Sequence, residues 1–132
     1  GWLGTVAGTI AVLGVAGGGF FPMNQLKAHT FTAMTYFRAG LFMTLFYGLA
    51  IFFQPLDAVK VPYILNVFTF LALAAYAAFL LDIRVVTKRE HENNALDPQH
   101  APARPRFWLL PTLEWMILIS TILWLFAVAA LT

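Results

Sequence analysis

Residues 107–131 read FWLLPTLEWMILISTILWLFAVAAL, and the only charged side chain among them is Glu114. A helix rises ~1.5 Å per residue, so about 20 apolar residues cross the ~30 Å hydrocarbon layer of a bilayer. This run is long enough. Three more stretches match it, Trp2–Phe21, Phe31–Phe53 and Val61–Ile83. Pro22, Pro55, Pro62 and Pro105 fall at or just outside the ends of these stretches, where a missing N–H costs no internal hydrogen bond. Pro111 falls in the first turn of the last stretch, where the same holds. Lipid leaves a backbone no solvent partner, so segments this apolar and this long must be helices. The expected fold is an all-α integral membrane protein, four transmembrane helices in an antiparallel bundle, with residues 1–132 forming one domain.

Composition agrees. The chain is 61% hydrophobic and 11% charged, with a mean hydropathy of +0.77. Soluble domains carry about 25% charged residues. There is no cysteine, which removes disulfides, thiolate metal sites and a cysteine nucleophile.

The cationic residues predict orientation. Lys27, Arg38, Arg84, Lys88, Arg89, Arg104 and Arg106 gather on the side of the first and third connections, against Lys60 alone on the other. By the positive-inside rule, residues 22–30 and 84–106 should be cytoplasmic and both termini outside, as in a bacterial inner membrane. The third span should continue as a helix toward Asn93 before the proline-rich stretch NNALDPQHAPARP.

Span 1 is rich in small residues. Ala7, Ala11, Gly14 and Gly18 share one helical face, and Gly4 and Gly8 form a second small pair. Such faces let helix backbones approach closely. Ala74, Ala75, Ala77 and Ala78 suggest a similar contact on span 3. Spans 2 and 4 carry Phe42, Phe46, Tyr47, Phe52, Phe53, Trp115, Trp124 and Phe126, expected in interfacial belts or facing lipid and partner helices.

Charge within the spans is the sharpest signal. Arg38 and Glu114 each lie about seven residues, ~10 Å, from the expected cytoplasmic end of their span. They should therefore be level. An unpaired charge at mid-bilayer costs at least ~2.5–3.5 kcal/mol. The expectation is an Arg38–Glu114 ion pair, or a small buried network that adds Asp82, Arg84 and Tyr36. Such a pair can set helix register, serve as a protonation site, or be replaced by contact with a charge on a neighbouring subunit.

Other chemistry is sparse. His29, His91 and His100 all lie outside the apolar spans, which disfavours intrinsic haem or chlorophyll. Glu90, His91, Glu92, Asp97 and His100 match no trusted metal-ligand spacing. No phosphate loop, nucleophile–base pair or nucleic-acid motif occurs. No cofactor is expected, although the sequence leaves a bound lipid or carotenoid open. The expected partners are membrane lipids and other membrane protein subunits, with no nucleic acid. The reading leans away from an enzyme and toward a non-catalytic accessory or assembly subunit of a larger complex, electron-transport or photosynthetic. The alternative is a small oligomeric transporter or channel using Glu114.

Overall fold

The computed structural model describes residues 1–21, 23–55, 61–96 and 109–131, with side chains described over 1–21, 24–55, 61–88, 109 and 111–130. Four α-helices account for nearly all of them: α1 (Trp2–Phe20), α2 (Leu26–Phe52), α3 (Leu65–Leu96) and α4 (Leu109–Leu131), with a short 3-10 turn at Met23–Gln25 before α2. No strand occurs among the described residues. Each helix contains a window long and apolar enough to span a bilayer, with mean hydropathy between 1.3 and 2.0. The protein is a four-helix, multi-pass membrane protein.

The helix limits depart from the sequence reading at two places. α2 starts at Leu26 rather than Phe31, because the polar residues Lys27, His29 and Thr30 form its first turns. Residues 61–64 form a turn rather than the start of α3. Gln54 closes that turn. Its side-chain amide donates to the Val61 carbonyl at 2.6 Å and accepts from the Val61 N–H at 3.2 Å. The Tyr63 hydroxyl donates to the Gln54 carbonyl at 3.2 Å. At the other end, the His29 ring bonds the Phe21 carbonyl at 2.8 Å and ties the first connection to the start of α2.

All three helix contacts run antiparallel. Along α1–α2, Gly4 faces Tyr47, Gly8 faces Met43, Gly14 faces Tyr36 and Gly17 faces Thr32. Along α2–α3, Phe37 packs against Phe79, Gly40 meets Tyr76 and Gly48 meets Thr69. Along α3–α4, Thr69 meets Trp124 and Tyr76 meets Thr121. The core lies between α2, α3 and α4, built on Ala75, Tyr76, Phe79, Leu113 and Ile117. Among the described elements, α1 packs on α2 alone. Only 22–28% of each hydrophobic window is buried inside the molecule, so most of the apolar surface is left for lipid or for another protein.

Candidate functional site

The interior is built around Tyr76, which is fully buried. Its hydroxyl donates to the Tyr36 hydroxyl at 3.1 Å and lies 3.3 Å from the Thr121 hydroxyl. One buried oxygen thus joins α2, α3 and α4. Room for the ring comes from Gly40. A Cβ placed there would lie 2.6 Å from the ring carbon bearing the hydroxyl. One to two turns toward the other end, the Trp124 indole N–H donates to the Thr69 hydroxyl at 2.9 Å, and the Trp124 ring packs 5.7 Å from that of Tyr47. Thr44, Thr69 and Ser120 are buried, and each hydroxyl bonds a carbonyl of its own helix. This is how a helix satisfies hydroxyls in a dry interior. The side-chain oxygen of Asn66 is buried without a partner.

Sequence reasoning missed the Tyr76 centre. A signal was present in α2, where Gly40, Thr44 and Gly48 repeat small residues every four positions. All three are buried, and Gly40 and Gly48 receive Tyr76 and Thr69 from α3.

The small residues of α1 meet α2 within the same chain. Gly4, Ala7, Ala11 and Gly14 are buried there, while Gly8 and Gly18 are half-buried. At Gly14 an added Cβ would be 2.7 Å from the Tyr36 backbone nitrogen and 3.0 Å from the Thr32 carbonyl oxygen. Gly18 has only the Thr32 hydroxyl, at 3.9 Å. On α3, Ala75 is buried but Ala74 and Ala78 face outward.

Arg38 and Glu114 are level, but each is exposed and no described contact joins them. Phe37 packs against Phe79, and Leu113 packs in the same cluster, so the residues following Phe37 and Leu113 share a depth. Both nevertheless point outward and are exposed. No hydrogen bond or ion pair joins them, or links either to Asp82 or Arg84, among the described residues. The reason is azimuth. One helical step beyond the core-facing Phe37 and Leu113 turns each side chain ~100° away from the core. Asp82 is half-buried, and one of its carboxylate oxygens is buried without a hydrogen-bond partner.

Arg38 stands on the outer ridge of α2 between two grooves. Between α2 and α3 lies a cavity of about 850 Å³, lined by Arg38, Arg84 and Lys88 with Leu41, Phe42 and Leu80 among its apolar walls. Between α1 and α2 lies one of about 390 Å³, lined again by Arg38 and Phe42, with Val6, Ile10 and Phe46.

No cluster of three metal-ligating side chains occurs among the described residues. The side chains of Glu90, His91 and Glu92, and all of Asp97 and His100, lie outside the described residues. Comparison of the chain with protein-family models, with curated proteins and with solved structures finds no match, so its function must be argued from its own residues.

Proposed function

We propose that this chain is a non-catalytic subunit of a larger complex in a bacterial inner membrane, with residues 22–30 and 84–106 cytoplasmic and both termini outside. The observation that carries the reading is Glu114. It stands on the outer stripe of α4 with Leu118, Ile122 and Leu125, all exposed. No described residue of its own chain bonds to it. A carboxylate facing hydrocarbon costs several kcal/mol unless a partner or water relieves it. A lysine or arginine on a neighbouring subunit's transmembrane helix would offset that cost and fix the docking register. The apolar stripe around Glu114 supplies the rest of such an interface.

A small oligomeric transporter or channel is the second reading. With Glu114 on the outer face of α4, its path would run between copies rather than through the bundle, where the buried Thr44, Thr69 and Ser120 hydroxyls bond carbonyls of their own helices.

The test is gentle extraction of the native protein with a photoreactive group at position 118. The expected result is a crosslink to a transmembrane helix of a different, larger subunit that bears a lysine or arginine. Glu114→Gln should reduce co-migration with that subunit at least about tenfold, the ratio set by ~1.4 kcal/mol. A lone homo-oligomer that shows Glu114-dependent, pH-coupled flux in liposomes would overturn the subunit reading in favour of transport.

A further inference from the structure

We infer that the paired grooves flanking α2 form a binding site for an anionic phospholipid, its phosphate held between Arg38 and Arg84 and its two acyl chains laid on either side of the α2 ridge. The site is separate from the α4 face and does not depend on the subunit reading.

The charge comes first. Every charged residue lining the α2–α3 groove is cationic: Arg38, Arg84 and Lys88. Neither Arg38 nor Arg84 is bonded to another described residue, and both are exposed. Asp82 does not line the groove. Guanidinium groups without counter-ions at membrane depth are costly to leave unpaired. A phosphate matches the donor fork of arginine, and basic pockets between transmembrane helices on the cytoplasmic side suit anionic headgroups.

The geometry converges the two arginines. Arg84 lies five residues beyond Phe79, and Arg38 lies one residue past Phe37 in the opposite direction. Their backbones are therefore offset in depth by about six residues, ~9 Å. Helical side chains lean toward their own N-terminus. Because α2 and α3 are antiparallel, Arg38 leans toward the end carrying Lys27 and Lys88, while Arg84 leans inward from that end. The two lean toward one another.

The apolar part of the site favours a lipid over free phosphate. Leu41, Phe42 and Leu80 wall the groove on one side of Arg38. Val6, Ile10 and Phe46 wall the groove on the other. Arg38 and Phe42 belong to both, so a molecule with one headgroup and two chains can straddle the ridge. A soluble anion would use only the arginines.

The experiment is native mass spectrometry of the purified chain, freed of other subunits, in detergent titrated with phosphatidylglycerol, with phosphatidylcholine or with inorganic phosphate. Phosphatidylglycerol should be retained preferentially. Arg38→Gln and Arg84→Gln should each weaken that retention about fivefold, the ratio expected for one cationic contact near an anionic lipid, with helicity and monodispersity unchanged. Arg38→Lys with Arg84→Lys should keep a larger share of it. Glu114→Gln should leave it as in the wild type, whatever that variant does to subunit assembly. Equal retention of phosphatidylglycerol and phosphatidylcholine would overturn the inference. So would anionic-lipid retention unaffected by the double glutamine variant, or phosphate binding as tightly as the lipid.

Discussion

The α1–α2 contact rests on small residues of α1, with Gly14 set against the α2 backbone at Thr32 and Tyr36. The contact among α2, α3 and α4 rests on large buried rings whose polar ends bond from helix to helix. The first contact is made by deleting side chains at Gly4, Ala7, Ala11 and Gly14. The second is made by filling space with Tyr76, Phe79 and Trp124 and then satisfying the polar ends. Both answer one constraint. Lipid removes most of the hydrophobic incentive for helices to associate, leaving van der Waals contact and hydrogen bonds. The difference is tolerance. A small-residue seam fails when anything is added, and a filled core fails when something is removed.

Substitutions can separate the two regimes. Tyr76→Ala should have the largest effect, a loss of about 3–5 kcal/mol from the cavity left by an aromatic ring, read by reversible unfolding in mixed micelles. Gly14→Val should cost about 1–3 kcal/mol through overpacking against the Tyr36 and Thr32 backbone. Because the chain has no cysteine, a cysteine pair placed at Gly8 and Met43 would report the seam alone, and its crosslinking should fall in Gly14→Val but persist in Tyr76→Ala. If both variants lose that crosslink equally, the two contacts form one unit and the contrast fails. Tyr76→Phe keeps the ring and loses one hydroxyl, for about 0.6–1 kcal/mol by the scale of interhelical hydrogen bonds in membranes. Gly18→Ala should lie near zero, since its Cβ would meet only the Thr32 hydroxyl at an ordinary 3.9 Å. A large effect at Gly18 would show that this end of α1 meets another protein.

The sequence reading was clearest where the bilayer itself sets the rule. The spans follow from length and apolarity, and the prolines mark their ends. The small residues of span 1 announce a close contact, though not whose. The candidate site was legible only in part. The shared depth of Arg38 and Glu114 can be counted from the span ends, but depth does not give direction. Counting could not show that Phe37 and Leu113, rather than their neighbours, turn toward Phe79. Nor could it find Tyr76, whose hydroxyl joins residues 36 and 121 from two other helices.

Chain chemistry alone determined the medium, the number of crossings and the residues that cannot rest easily in oil. These are sums over a segment, and they hold for any arrangement of the helices. Tertiary structure alone decided which face of each helix turns inward. In water an apolar stripe marks the buried side. In a membrane the inner and outer faces are both apolar, and the pattern that would tell them apart is nearly erased. Facing is then chosen by fit, a ring into a glycine gap or a glycine against a backbone, and fit exists only once the helices have met.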